Sequence, residues 1–284
     1  MAIKKYFSTA DNTISNAFDE TLLSSNRATG SNMGASDILE VFQIYGQQVT
    51  SSSELSRVLI QFDTAKIATD RADLKIPASG SVKFYLNMYN ASHSSTLPEN
   101  FDLTISAVSA SWEEGNGLDM VNYTDKTYEG TGSNWIQARH SASTDNGRWT
   151  SAGGDYLTDA SSSFSKNFPE GYEDLSIDVT TLVEQWINSG GNVLGSKNNY
   201  GFGIKLSDNL ESATKSYYTK KFFARGSEFF FKRPTLEARW NDSTKDDRGN
   251  FYYSSSLAPA LENITEASPA TKPLPLPQPP VYQP

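Results

Sequence analysis

The sequence predicts an all-β fold, an antiparallel β-sandwich with one short helix, followed by an extended, proline-rich C-terminal arm. Three observations support this prediction. Many short segments alternate apolar and polar residues, only one segment has the spacing of an amphipathic helix, and the end of the chain becomes rich in proline. We therefore expect a sandwich domain over residues 1–242 and an arm over residues 243–284.

The composition permits one large globular domain and narrows the class of partner. The chain has 284 residues, 37% of them hydrophobic, which is enough for a sizeable core. Asp and Glu number 33 against 24 Lys and Arg, and the net charge of -9 repels phosphate groups. We therefore expect neither nucleic acid nor a membrane as partner. The sequence contains no cysteine, which excludes disulfides and thiolate metal sites.

Targeting segments are not expected either. The two lysines near the N-terminus are not followed by an apolar stretch, and nothing later approaches the length of a membrane span. The expectation is a protein made in the cytoplasm without a signal peptide.

Strands are predicted where apolar side chains recur at every second position. Val58, Ile60 and Phe62 share one face in this way. The same alternation recurs in several short segments that are separated by Gly, Ser, Asn, Asp and Pro. The predicted strands cover residues 38–45, 57–62, 81–89, 102–108, 175–179 and 200–206.

One short helix is predicted in the segment DVTTLVEQWINSGG, residues 178–191. Thr181 with Glu184 three residues later has the pattern of a capping box, and Leu182 and Trp186 form an i,i+4 apolar pair. Gly190 is a suitable stop. We expect this helix to cross one end of the sandwich with Trp186 packed inward.

Residues 120–165 form a polar, glycine-containing segment that nevertheless carries several aromatic side chains. A loop of this length inside a compact domain usually has a function or contains short strands. Both interpretations stay open at this stage.

The run KKFFARGSEFFFKRPTLEARW, residues 220–240, is predicted to supply the closing strands of the sandwich. Residues 235–240 alternate as a half-buried strand. Phe229 and Phe231 alternate with Phe230, so a strand here directs Phe230 to the other face, where it is available for a subunit contact. Three basic residues of the run are expected to pair with carboxylates: Arg225, Lys232 and Arg233.

The arm is expected to bind a partner in an extended conformation. Seven prolines lie between Pro269 and Pro284, and proline favours polyproline II, which docks on grooves or sheet edges. The candidate apolar anchors are Leu274, Leu276, Val281 and Tyr282.

Little in the sequence points to an enzyme, and we predict a non-enzymatic protein without a cofactor. His93 and His140 lie in polar segments without a nucleophile or a metal-ligand spacing, so we expect surface histidines. Glu113, Glu114 and Asp119 surround two glycines and are weak candidates for calcium ligands. A solvated turn is the favoured interpretation of this acidic segment.

Two other function classes stay open. Trp112, Trp135, Trp149 and Tyr156 are candidates for stacking on sugar rings, as in a carbohydrate-binding module for host-surface glycans. Burial in the core is the competing interpretation of each ring. A polysaccharide hydrolase or lyase would require convergent titratable groups in a cleft, and no pair of residues is singled out for that role.

Several motifs, taken in order, resemble DNRLRE-type domains. Arg57 precedes an apolar strand that ends at Asp63, and a Ser-Trp-x-Glu-Gly turn follows at residues 111–115. A DVT-x-x-V-x-x-W helix entry occupies residues 178–186, and an Arg-Pro-x-Leu strand ends at Leu236. The resemblance covers most of the chain up to residue 240. It implies a jelly-roll-like β-sandwich of a kind often attached to surface or carbohydrate-active proteins.

A narrower resemblance involves residues 1–18, 29–47, 217–234 and 245–260. These segments resemble a family of virion structural proteins of tailed bacteriophages, especially marine ones. The resemblance implies a particle component with a sandwich body and a C-terminal extension. We accordingly expect a structural protein of the virion, in multiple copies in a symmetric assembly with other virion proteins. The neck, collar or tail is favoured over the capsid.

Overall fold

The computed structural model describes residues 1–18, 27–45, 53–93, 97–118, 132–140, 147–188, 194–214 and 217–243. The chain divides into two compact units, Met1–Asn241 and Asp242–Pro284, and the fold described below is that of the first. Beyond Ser243, the predicted arm lies outside the described residues.

The predicted fold class is confirmed, because the described part of the chain is mostly antiparallel β-sheet arranged as a sandwich-like or barrel-like body. Three short α-helices accompany ten strands in this part of the chain. The strands are β1 (Ala2–Ser15), β2 (Ile38–Tyr45), β3 (Ser53–Phe62), β4 (Val82–Met88), β5 (Phe101–Ala107), β6 (Ser163–Phe168), β7 (Leu175–Asp178), β8 (Phe202–Leu206), β9 (Tyr217–Phe223) and β10 (Thr235–Trp240).

Strand β1 connects the two layers of the sandwich. Its first half pairs with β10, and its second half pairs with β3 after a register shift between Ser8 and Ala10. One layer therefore has the order β1-β10-β4-β7 and the other the order β1-β3-β8-β5-β6, while β2 pairs with β3 and β9. Strand β1 is not among the strands predicted from the sequence.

The main core lies between these layers. Val58, Ile60 and Phe62 of β3 are all buried in it, as their alternation predicted. The predicted inward faces of β4, β5 and β8 are likewise buried in the same core. The alternation identified these faces correctly because consecutive side chains of a strand point to opposite sides of the sheet.

A second apolar cluster lies apart from the main core. Leu59 of β3 and Ile14 of β1 pack there with Trp135 and Trp149. Both tryptophans belong to residues 120–165, the segment whose role the sequence left open. The described parts of this segment include isolated β-bridges at Gln137 and Tyr156 and the first residues of β6, so they contain short stretches of strand pairing.

The prediction of a single helix is wrong, since the described residues contain α1 (Thr64–Ala72), α2 (Thr180–Ile187) and α3 (Asp208–Glu211). Asp63 caps α1 by accepting hydrogen bonds from the backbone nitrogens of Ala65 and Lys66. This helix buries few apolar side chains, so its sequence carries only a weak helical pattern.

The predicted capping box of α2 is also wrong. Thr181 lies inside the helix, and Asp178 Oδ1 accepts hydrogen bonds from Thr180 N at 3.0 Å and from its Oγ1 at 2.6 Å. Glu184 instead pairs with Arg71 of α1, at 2.6 Å. Trp186 packs into the main core as predicted. The proposed stop at position 190 lies outside the described residues.

The closing run is only partly as predicted. Residues Thr235–Trp240 form β10, but this strand lies between β1 and β4 and is buried on both faces over most of its length. Its buried Glu237 is neutralised by Lys5 at 3.0 Å and by Arg239 at 2.7 Å. Phe230–Lys232 form a 3₁₀ turn, so the prediction of a strand there is wrong.

Candidate functional site

The four aromatic residues considered for glycan stacking belong to the second apolar cluster. Trp135 and Trp149 are buried, and Trp112 and Tyr156 are half-buried and pack against them. The polar atoms of three of these rings bond to backbone carbonyls within the chain. They therefore do not form an exposed row of ring faces. The segment that carries Trp135 and Trp149 packs on the face of the sheet at Leu59 and Ile14. No local sequence pattern shows which face of the sheet this segment covers.

Arg57 has a structural position in this cluster. Its guanidinium donates two hydrogen bonds to the Glu211 carboxylate, at 3.0 and 2.7 Å, and one to the carbonyl oxygen of Gly153 at 2.8 Å. It also lies 5.1 Å from the ring centre of Trp135. Arg57 thus fixes α3 and the loop at Gly153 to strand β3. Burial raises the pKa of the neighbouring Tyr156.

The acidic turn contains a charged pair rather than an open set of oxygen ligands. Glu114 accepts hydrogen bonds from the Arg225 guanidinium at 3.0 and 2.6 Å and from Asp11 N at 2.8 Å. Glu113 is exposed, and the third candidate, Asp119, lies outside the described residues. No group of three His, Asp or Glu in the described ranges could hold a metal ion. The pairing of Arg225 with a carboxylate is as predicted.

The side chain of Asn32 holds the acidic turn in place through hydrogen bonds to its backbone. Its Nδ2 donates to the carbonyl oxygens of Glu114 and Ser133, both at 2.8 Å, and its Oδ1 accepts from Gly117 N at 2.8 Å. A Cβ added at Gly117 would lie 2.1 Å from the Asn32 carbonyl oxygen. The second glycine of the acidic turn is therefore required by the close approach of two backbone segments.

Asp11 is a buried carboxyl that the sequence analysis missed. It lies on β1, and its Oδ2 accepts a hydrogen bond from Arg225 N. Burial, together with the nearby Glu114 carboxylate, raises the pKa of Asp11 to about 7. A short polar residue in a strand gives no sequence signal of this environment.

Lys220 of β9 is likewise fully buried. Its Nζ donates to Asn90 Oδ1 at 2.8 Å and to the carbonyl oxygens of Gly171 and Glu173 at 2.8 and 2.6 Å. Burial lowers the pKa of Lys220 to about 8. With its three donors used by one side-chain oxygen and two backbone carbonyl oxygens, this buried lysine stabilises the fold.

The two histidines lie in different environments. The backbone nitrogen of Lys221 donates to His93 Nε2 at 3.3 Å, and burial with two nearby lysines lowers the pKa of His93 to about 4. His93 is therefore only partly exposed, whereas His140 is exposed as expected.

A cluster of exposed aromatic side chains lies at the 3₁₀ turn and the residue before it, at Phe229, Phe230 and Phe231, named here the aromatic turn. These side chains are 51%, 49% and 85% exposed, respectively. Phe230 packs on Phe7 with 4.6 Å between ring centroids, while Phe231 projects beyond it. Because a turn replaces the expected strand, all three rings reach solvent instead of alternating between two faces.

Two cations flank the aromatic turn. Lys232 Nζ lies 5.3 Å from the ring centre of Phe229, and the Arg233 guanidinium lies 5.5 Å from that of Phe230. Arg233 Nε also donates a hydrogen bond to the Ser227 carbonyl oxygen at 2.9 Å, and Lys232 Nζ also lies 4.7 Å from the ring centre of Phe223. The structure shows these contacts for the two side chains in place of the predicted carboxylate pairs. The result is a compact aromatic and basic surface on an acidic protein. The arm anchors Leu274, Leu276, Val281 and Tyr282 lie outside the described residues.

Comparisons with known proteins add no relative to this description. The sequence matches no model of a protein family, and no curated protein shows significant similarity to it. Among the described residues, no helix is both long and apolar enough to cross a membrane.

Proposed function

We propose that the chain is a non-enzymatic structural component of a phage virion that assembles through the surface of its sandwich and through its C-terminal arm. The neck, collar or tail is the favoured location. Two kinds of observation support this proposal. The sequence resembles virion structural proteins of tailed phages, and the sandwich carries the exposed aromatic turn.

The aromatic turn is the observation that carries the assembly role. Three adjacent phenylalanines that are each about half exposed or more make an apolar patch of a kind that is uncommon on proteins without partners. Phe and Arg are enriched at the centres of protein interfaces. Covering such rings stabilises a complex by roughly 1 kcal/mol or more for each ring, since full burial of a phenylalanine contributes about 1.5–3 kcal/mol.

Charge complementarity identifies the chemistry of the neighbour. Lys232 and Arg233 lie beside the rings, so the opposing surface should combine apolar side chains with carboxylates. Other copies of this acidic chain, or other virion proteins with such a surface, meet that requirement.

Phe231→Ser tests the role of the aromatic turn in particles of the phage that encodes the chain. Phe231 is 85% exposed, so the substitution leaves the fold intact. We expect at least a tenfold fall in the number of copies per particle, measured by quantitative mass spectrometry. Leu74→Ser is the matched control, because Leu74 is 89% exposed and lies elsewhere on the body. Normal incorporation of the Phe231 variant would exclude the aromatic turn as an assembly surface.

Deletion of residues 268–284 tests the arm separately. The deletion removes the prolines and the four apolar anchors but none of the described body. Reduced incorporation is expected, with an unchanged thermal unfolding temperature of the purified protein. If the truncated chain enters particles at the normal level, the arm has no docking role.

A further inference from the structure

A cavity of about 510 Å³ opens on the body at the C-terminal end of α2. Val108, Leu157 and Trp186 give it apolar lining. The volume lies within the range of small-molecule sites, about 300–1,000 Å³. The cavity is distinct from the aromatic turn, and none of its lining residues has a part in the proposed assembly role.

The remaining lining side chains are chiefly amides and hydroxyls. Asn188 and Asn198 supply the amides, and Ser109, Ser196 and Tyr200 supply the hydroxyls. Groups of this kind both donate and accept hydrogen bonds, as the hydroxyls of a sugar do. Mixed lining of apolar surface and a few polar groups is typical of a site that orients a polar ligand.

The electrostatics of the lining favour a ligand without charge. Of the described residues that line the cavity, none carries a carboxylate, and Lys197 is the one cation. Lys197 Nζ donates to both oxygens of Asp159, at 2.8 and 2.9 Å, and to Ser161 Oγ at 2.8 Å. This interaction lowers the pKa of Asp159 and neutralises the ammonium. Neither a phosphate nor an ammonium group would find an unpaired counter-charge here.

The aromatic part of the lining is held by the rest of the fold. The ring of Trp186 packs edge-on against Phe202 at 4.7 Å between centroids, and Trp186 is 8% exposed. Its Nε1 has no hydrogen-bond partner in the described part of the chain. Trp112 Nε1 donates to the Tyr200 carbonyl oxygen at 2.7 Å and so fixes the backbone beside the cavity. At this burial Trp186 gives the cavity an apolar wall rather than an open ring face.

We propose that this cavity binds a neutral saccharide, with Asn198 and Tyr200 as the principal ligand contacts. Trp186 contributes apolar wall, and Trp112 acts as a positioning residue through the Tyr200 backbone. The glycan-stacking role considered for Trp112, Trp135, Trp149 and Tyr156 is thereby replaced by a different set of contacts. The proposal stands independently of virion assembly.

The test is a saccharide titration of the full chain by saturation-transfer NMR. The probes are the methyl glycosides of glucose, galactose, mannose and N-acetylglucosamine, with glucuronate and galacturonate as anionic comparisons. We expect at least one neutral probe to saturate with a millimolar dissociation constant. Tyr200→Ala and Asn198→Ala should each weaken that binding at least fivefold.

Asn209→Ala is the matched control, because Asn209 is exposed on α3 and does not line the cavity. It should leave the dissociation constant unchanged. The proposal is overturned if no neutral probe binds, if the anionic sugars bind in preference, or if the cavity variants bind as tightly as the control. Thermal unfolding of each variant shows that a loss of binding is not a loss of fold.

Discussion

Replacing Asp11 by Asn should make the protein increasingly stable relative to wild type as the pH rises. Burial raises the pKa of Asp11 from 3.8 to about 7 in the folded protein. Between these values the folded state holds a proton that the unfolded state has lost, so wild-type stability falls as the pH rises towards 7. Asn has a similar shape, can accept the hydrogen bond from Arg225 N, and has no charge to bury.

The size of the effect follows from the two pKa values of Asp11. Proton linkage through this group lowers the unfolding free energy of the wild type by about 2 kcal/mol at pH 5 and by about 4 kcal/mol at pH 8. The variant avoids both losses. Its stability relative to wild type should therefore increase by about 2 to 3 kcal/mol between pH 5 and pH 8.

The assay is urea unfolding followed by tryptophan fluorescence at several pH values, with both proteins analysed by linear extrapolation. Glu228→Gln is the matched control, since it makes the same carboxyl-to-amide change at an exposed position. Parallel curves of unfolding free energy against pH for wild type and the Asp11 variant from pH 5 to pH 8 would refute the reasoning. A carboxyl whose pKa is raised in the folded protein makes the two curves diverge over this range.

Three further substitutions test other parts of the body by urea unfolding. Glu184→Gln should lower the unfolding free energy by about 2 to 3 kcal/mol, because Arg71 loses its carboxylate partner. The loss should be smaller than for a fully buried ion pair, since Arg71 is partly accessible to water. Gly117→Ala should cost about 1 to 3 kcal/mol, because the new Cβ meets the Asn32 carbonyl oxygen. Between pH 8 and 10.5 the unfolded protein keeps a proton on Lys220 that the folded protein has lost, so the unfolding free energy of the wild type should rise by up to about 3 kcal/mol. Lys220→Met should abolish this rise.

The substitutions of Glu184 and Gly117 each have a control at a less constrained position. Asp73→Asn removes an exposed partner of Lys75 and should change stability by less than about 1 kcal/mol. At Gly226 the nearest atom to an added Cβ is 3.2 Å away, so Gly226→Ala should be tolerated better than Gly117→Ala. If a substitution and its control lowered the unfolding free energy equally, the contribution assigned to the corresponding contact would be contradicted.

The strands were predictable where an alternating pattern faces one continuous core. Val58, Ile60 and Phe62 show this, since a period of two is a property of the strand itself. The same reasoning predicts that one face of β10 is exposed to solvent, but this strand is buried on both faces over most of its length. Whether a strand lies at the edge or in the middle of a sheet depends on its pairing with distant segments. Because β10 lies between β1 and β4, Glu237 is buried, and its ion pairs with Lys5 and Arg239 make this burial tolerable.

The candidate sites were harder to predict for the same reason. Trp135 and Trp149 are compatible with either a binding face or a core, and the choice is made by the sheet face that their segment covers. Alternation in this run predicts a strand that directs Phe230 away from Phe229 and Phe231, but the 3₁₀ turn exposes Phe229 and Phe230 about equally and Phe231 more than either. The cavity beside α2 joins residues far apart in sequence, and no local pattern marks it.

The most direct test of the proposed assembly role is a reconstruction of the particle at a resolution that traces side chains. We predict multiple symmetry-related copies of the chain in the neck, collar or tail, with Phe229, Phe230 and Phe231 covered by a neighbouring subunit. Carboxylates of that neighbour should lie beside Lys232 and Arg233. Absence of the chain from purified particles, or its presence with the aromatic turn open to solvent in every copy, would contradict the account.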